Sequence, residues 1–496
     1  KAVQKDIAPA TQLFTPNWIV RYMVENSLGR LWMLNNPGSG LRERMAYYIE
    51  PDGDHEDFIR VAGPEDITFC DPACGSGHIL VYAFSLLFEM YLEHGYRERE
   101  IPELILTKNL SGLEIDDRAA QIASLALVMC AREHDRRFFA RDVAIDVHVV
   151  KPVVFGKEKN GEEVRPVPRA LEKRKDLIEA LTYLDEIGSL FAPSAFDMAA
   201  LDEALAEIPE GDMFAQDVRE HLELAKGQCE ALSRTFDVVV ANPPYMGSSK
   251  FNPFMNKWMK KNYPDEKSDL CFAFINRICS MKKHGGEVGI AATNSWMFLS
   301  SSEASRLKVL GTNEITSLVQ LSVHGFKGIA AQVFAFTLID KQVNGYRGGY
   351  VRLDDFDHHS LQEGKTLEAI ENPECGWFYR ADASTFHDIP GSPIAYWASE
   401  AIIRAFKTMD SLGTWLTTRE GMATANNDQF VRSWWESPLK AIGFGIPDQE
   451  TAMLSGKKWF PYQKGGEYRK WYGNNDLVVN WENDGSDIRS NIDEKT

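Results

Sequence analysis

Cysteine is scarce in this chain, and its spacing makes no pattern. Cys70, Cys74, Cys130, Cys229, Cys271, Cys279 and Cys375 make seven, an odd count with no Cys-x-x-Cys pair. That suggests reduced thiols in a cytoplasmic protein rather than a disulfide framework, and argues against a zinc site or any other bound metal. Long apolar runs are missing as well. The longest mostly apolar stretch, Ile79 to Leu87, reads as a buried helix and falls far short of a bilayer span, and the start is no signal peptide. Positive charge is in deficit: 54 Lys and Arg stand against 72 Asp and Glu, a net −18, which speaks against a general polyanion binder but leaves room for a local basic cleft. No internal repeat or low-complexity tract is evident. The chain begins at Lys1 rather than Met and stops inside what reads as a continuing domain, so a piece of a longer protein is expected.

At 44% hydrophobic and 25% charged residues the composition is that of an ordinary globular protein, and 496 residues exceed one compact core. The most informative segment is Asn242-Pro243-Pro244-Tyr245, which follows the apolar run Phe236-Asp237-Val238-Val239-Val240-Ala241. The run reads as a buried strand. Two prolines after it fix φ and supply no N–H, so the turn is stiff and its carbonyls are free to accept. With the Asn242 amide oxygen they offer two acceptors beside the flat ring of Tyr245, a grip for an aromatic amine. Taken alone, Asn-Pro-Pro is an ordinary turn former.

Two further segments change that weighing. Ile67-Thr68-Phe69-Cys70 reads as a strand running into Asp71-Pro72-Ala73-Cys74-Gly75-Ser76-Gly77, followed by an apolar helix from His78 to about Tyr91. Strand, glycine loop and helix let a ligand approach backbone N–H groups. The loop lacks the Lys of a phosphate-binding P-loop and is not the dinucleotide Gly-x-Gly-x-x-Gly. Downstream, Leu110 to Leu113 reads as the next strand, ending at Glu114-Ile115-Asp116, with a helix from about Asp117 to Cys130. An acidic residue at that strand tip suits ribose hydroxyls. Glu114 and the glycine loop together point to a nucleoside-bearing cofactor without phosphates, and S-adenosylmethionine fits.

On these residues the chain resembles the amino-methylating (gamma-type) adenine-specific DNA methyltransferases, in the subgroup whose cofactor motif precedes the catalytic motif. More narrowly it is similar to the adenine-specific enzymes of BREX phage-defence systems. Gln12-Leu13-Phe14-Thr15-Pro16 is similar to the family's N-terminal cofactor motif, with Thr15 placed to cap a helix and Pro16 in its first turn. The resemblance covers roughly residues 12 to 340. It implies a doubly wound, Rossmann-like α/β sheet with an antiparallel closing hairpin. It assigns the cofactor to Phe14, Thr15, Pro16, Asp71, Ala73, Gly75, Gly77, Glu114, Ile115 and Asn242. The target base falls to Asn242, Pro243, Pro244 and Tyr245, and to Phe326 in the loop His324 to Gly328. Double-stranded DNA and other phage-defence proteins are the implied partners. For the polar residue after the third strand, Asp142 and Ser189 are both candidates.

The organisation expected is an N-terminal helical segment over 1–60 with a helix near Asn17 to Leu34, and a catalytic domain over 61–340 carrying a helical insert at 151–235. A connecting region at 341–410 and the start of a target-recognition domain at 411–496 complete it, the latter from the likeness of Gly421 to Phe430. Asp269 to Met281 reads as an amphipathic helix ended by Gly285-Gly286, and Val288 to Ala292 as the next strand. Ile315 to Val323 and Val333 to Ile339 form the closing pair. Two clusters mix cations with aromatics in a way that suits phosphates and bases: Lys250 to Lys267 around Phe251, Phe254, Trp258 and Tyr263, and Lys457 to Lys470 around Trp459, Tyr462, Tyr468, Trp471 and Tyr472. Two alternatives stay open, a protein glutamine methyltransferase and a catalytically silent cofactor- and DNA-binding module of a defence complex.

Overall fold

A computed structural model describes residues 15–53, 57–156, 165–208, 215–325, 332–341, 346–417 and 422–493. Phe14 and Phe326 lie outside the described residues. The chain divides into two compact units, Lys1–Met409 and Asp410–Thr496.

The larger unit is built on one nine-stranded sheet. Its strands are β1 (Phe69–Asp71), β2 (Leu110–Glu114), β3 (Val147–Val149), β4 (Phe236–Ala241), β5 (Lys282–Thr293), β6 (Asn313–Gln320), β7 (Val333–Asp340), β8 (Arg347–Arg352) and β9 (Phe378–Asp382). They lie in the order β3-β2-β1-β4-β5-β7-β6-β8-β9. The first five run parallel, and β7 enters antiparallel between β5 and β6. This is the doubly wound sheet with its antiparallel hairpin. Chain direction across the sheet reverses between β1 and β4, the switch point at which such sheets open a crevice.

Both faces are covered, because alternate side chains of buried strands point to opposite sides. Phe69, Val238 and Val240 pack with the helices α1 (Asn17–Val24), α2 (His78–Glu93) and α3 (Asp117–His134). Cys70, Val239 and Ala241 pack on the other face with α4 (Leu270–Met281) and the helical insert. α1 runs on through a π-turn at Glu25–Gly29 into a helix at Arg30–Asn35, as one long element near the predicted bounds. It sits close on β5, where a Cβ on Gly289 would stand 3.1 Å from the Met23 carbonyl oxygen. Its Tyr22 hydroxyl meets Ser317 Oγ at 2.6 Å, which meets Thr337 Oγ1 at 2.7 Å. Among the described residues no helix is long and apolar enough to cross a membrane.

Two local expectations are corrected. Gly285 and Gly286 do not end the α4 helix, which stops at Met281; both lie inside β5. Gly285 takes φ +75°, and a Cβ on Gly286 would stand 2.7 Å from the Asp237 carbonyl, so the pair serves an irregularity in the β4–β5 ladder. Residues 341–410, expected to connect two domains, instead add β8 and β9 to the sheet. Gly348 permits this, since a Cβ there would collide with the Ile315 carbonyl of β6.

The insert holds helices at Lys175–Thr182, Leu184–Ile187, Ala195–Ala206 and Gln216–Ser233. Arg277 of α4 fastens it. The buried guanidinium donates to the carbonyls of Ser189 (2.7 Å), Leu232 (2.5 Å) and Phe191 (3.4 Å). In the smaller unit, β10 (Val431–Ser433), β11 (Trp459–Tyr462) and β12 (Leu477–Asn480) form an antiparallel sheet in the order β10-β12-β11. Its small core holds Phe430, Val479 and Ile488, while Tyr468, Trp471 and Tyr472 are exposed.

Tyr22→Phe removes one buried hydroxyl and leaves Ser317 short of a partner. It is expected to cost about 1 kcal/mol, read as a lower urea midpoint for the larger unit.

Candidate active site

At the switch point β1 ends in Asp71, and the chain turns tightly before α2. Gly75 takes φ +52° and Gly77 φ +84°, conformations costly for any residue with a Cβ. The two glycines differ in surroundings. A Cβ on Gly77 would press on Ala123 of α3 at 2.9 Å, whereas one on Gly75 would meet nothing within 4 Å. Gly77 therefore serves helix packing, and Gly75 faces open space.

Glu114, at the end of β2, organises this loop. Its Oε2 accepts the Gly75 N–H at 2.7 Å, and its Oε1 accepts those of Ile115 (2.9 Å) and Asp116 (3.0 Å). Burial still raises its pKa. Asp71 is buried more deeply. Its Oδ1 accepts the Ala73 N–H at 3.1 Å, yet burial, with Glu114 nearby, pushes its carboxyl up to about 8.

Asn242 follows β4 on the other side of β1. Its Nδ2 donates to Thr15 Oγ1 at 2.6 Å, and the Tyr245 hydroxyl donates to its Oδ1 at 2.8 Å. Pro243 is buried, while Asn242, Pro244 and Tyr245 are half-buried. Thr15 was expected to cap the following helix. The cap position is held by Pro16, whose carbonyl accepts from Ile19 (2.9 Å) and Val20 (3.2 Å), and Thr15 is turned toward Asn242 instead.

Most of these groups meet at one cavity of about 830 Å³, but Pro16, Gly77, Pro243 and Tyr245 are not among its lining residues. Thr15, Asp71, Ala73, Gly75, Glu114, Ile115, Asn242 and Pro244 all line it. That size suits a small-molecule site, with apolar walls and a few convergent polar groups. A nucleoside bearing an amino-acid tail fits it on two observations: Gly75 leaves the loop open to close approach, and Glu114 keeps spare acceptor capacity beyond its three N–H bonds.

Sequence reasoning offered Ser189 as a candidate but missed the rest of the far wall. Ile187, Gly188, Ser189 and Leu190 of the insert close the cavity, with Leu270 and Phe274 of α4. Gly188, at φ +48°, was the available signal, since a Cβ there would press on Ile115 at 2.9 Å. The Ser189 hydroxyl donates to the Pro72 carbonyl at 2.5 Å, whereas Asp142 precedes β3 and is not among the cavity residues. The Lys250 to Lys267 cluster is also arranged differently from expectation. Phe251 and Trp258 are buried, Phe254 stacks on Tyr183 at 3.9 Å, and Lys257 and Lys261 pair with Glu179 (3.1 Å) and Asp176 (2.7 Å) of the insert. Its rings dock a helix rather than standing free.

Residues 108–326 match the model of the Eco57I restriction-modification methylase, and residues 63–152 that of the MmeI DNA-methyltransferase domain. Residues 63–326 are thus similar to methyltransferase domains of the restriction-modification class. Over its whole length the chain is 36% identical to the adenine-specific methyltransferase PglX of Lacticaseibacillus casei (strain Zhang), covering 43% of that protein. It is likewise 36% identical to the adenine-specific methyltransferase BrxX of Escherichia coli O9:H4 (strain HS), over 98% of this chain and 42% of the relative. The chain spans less than half the length of these curated relatives. Among solved structures, a DrdV–DNA complex overlaps with a TM-score of 0.43 at 13% identity, over 78% of this chain and 31% of the other, too distant a likeness to argue from.

The raised Asp71 carboxyl has a pH consequence. The folded chain keeps a proton that the unfolded chain releases, so stability is greatest below the ordinary aspartate range and falls as pH rises from about 4 to about 8. Urea midpoints across that window should decline, and Asp71→Asn should flatten the decline.

Proposed function

We propose that this chain is the catalytic part of a site-specific DNA adenine methyltransferase. It uses S-adenosylmethionine, acts on double-stranded DNA in the bacterial cytoplasm, and marks host DNA in a BREX-type phage-defence system alongside other defence proteins. One observation supports this above all: Asn242 lines the same cavity as Asp71, Gly75 and Glu114. The 36% identity to two proteins named adenine-specific methyltransferases favours adenine over a glutamine side chain as the acceptor.

S-adenosylmethionine, when bound, supplies a methyl group activated by its sulfonium. Glu114 holds the ribose hydroxyls, and the loop from Asp71 to Gly77 holds the amino-acid end. The exocyclic amine of adenine is a poor nucleophile because its lone pair is delocalised into the ring. Asn242 Oδ1 and the Pro243 carbonyl accept its two hydrogens, which draws the nitrogen toward a tetrahedral shape and localises that lone pair. Acceptors fixed in advance supply the catalysis, and the proton leaves after transfer. A stacked base cannot reach such a turn, so the adenine is flipped out of the duplex. Flipping costs roughly a few kcal/mol, offset in part by Tyr245 and by Phe326.

Two variants separate the roles. Asn242→Ala should lower methyl transfer to duplex DNA by about 10²–10³-fold while cofactor affinity stays near wild type. Glu114→Ala should weaken cofactor binding first, read by calorimetric titration. Normal methylation by Asn242→Ala would refute the assignment. Modification-sensitive sequencing of DNA from cells with and without the intact protein would identify the marked adenine.

A further inference from the structure

We infer that Thr15 is a positioning residue for the catalytic amide: its hydroxyl fixes which end of Asn242 faces the target amine. The inference rests on the function proposed above and adds to it a role for the N-terminal segment beyond cofactor binding. Thr15 and Asn242 are 227 residues apart, and Nδ2–H···Oγ1 is a 2.6 Å bond at the edge of the shared cavity.

An Asn side chain is nearly symmetric in shape, so a half-turn about its last bond exchanges oxygen for nitrogen. Only the oxygen accepts from an amine. With the nitrogen inward, donor would face donor, and the grip would be lost. Two hydroxyls flank the group, Thr15 at the nitrogen end and Tyr245 at the oxygen end. Both hydroxyls donate and accept, but unequally. A phenol shares its oxygen lone pair with the ring, so it donates better and accepts worse than an alkyl alcohol. Tyr245 therefore belongs at Oδ1 and Thr15 at Nδ2, the arrangement observed. Removing Thr15's acceptor takes away the preference at the nitrogen end.

Thr15 acts on charge as well as on orientation. Accepting the Nδ2–H shifts electron density through the amide toward Oδ1, the cooperative strengthening expected of linked hydrogen bonds. Density at Oδ1 is what a nitrogen gaining positive charge requires. The hydroxyl is itself held firmly. Pro16 follows with φ −53°, and its carbonyl starts α1, which is anchored on the sheet through Tyr22 and Ser317.

The test uses the full-length protein with Thr15→Val, which keeps the shape and removes the hydroxyl, and Thr15→Ser, which restores it. Single-turnover transfer of labelled methyl groups to duplex DNA is measured at saturating cofactor and DNA, and cofactor Kd by calorimetry. Thr15→Val should lower the single-turnover rate at saturating cofactor by about tenfold, the worth of one hydrogen bond, over and above any change in Kd. Thr15→Ser should recover the rate. An unchanged rate with a weakened Kd would make Thr15 a cofactor ligand only and overturn the inference. Failure of Thr15→Ser to recover a lost rate would overturn it too, because the methyl and not the hydroxyl would then matter. A wild-type rate in Asn242→Ala would instead bring down the function proposed above, so the two failures are distinguishable.

Discussion

Strand β1 pairs in parallel with β2 on one side and with β4 on the other, and the site is suspended from that pairing. Neighbouring strands lie about 4.8 Å apart, so the carboxyl ends of three adjacent parallel strands fall within roughly 10 Å. Asp71 ends β1, Glu114 ends β2, and Asn242 follows the last residue of β4. Residues far apart in the chain are thus brought together by backbone hydrogen bonds alone. The Glu114–Gly75 bond then ties the end of β2 to the loop after β1, so the sheet and the loop's own glycines set its path together.

The site is held at some electrostatic expense. Burial disfavours the charged forms of both Asp71 and Glu114, and each also raises the pKa of groups around it. A cavity that keeps two carboxyl groups out of water is prepared for a ligand able to use them. The same economy appears on the far face, where Arg277 is buried against three carbonyls and its pKa is lowered by desolvation.

Much of this was legible in the residues. The run Phe236 to Ala241 forms β4 with its predicted bounds, because an unbroken apolar segment closed by Pro-Pro has little alternative. The positive φ of Gly75 and Gly77 agrees with a loop that only glycine enters cheaply. The failures have physical causes. Gly285-Gly286 reads as a helix stop, but glycine marks a bulge as readily as a C-cap, and only the partner strand decides. Thr15 before Pro16 looked like a cap, because the competing partner lies 227 residues away. The insert's part in the cavity was visible only at Ser189, since Ile187, Gly188 and Leu190 carry no motif of their own. In the lysine-aromatic cluster after the Asn242–Tyr245 turn composition misleads: rings suited to bases are also suited to packing.

The insert's position has a consequence for protein engineering. Modular enzymes are often recombined by exchanging whole segments, and a stretch with no motif looks like the natural place to cut. Here the short segment from Ile187 to Leu190 is the lid stone of the cavity, pinned from beneath by Arg277 and from the side by the Pro72 carbonyl. A chimera that trimmed residues 151–235 as decoration would open its binding chamber to water. Any transplant of this core has to carry the insert with it.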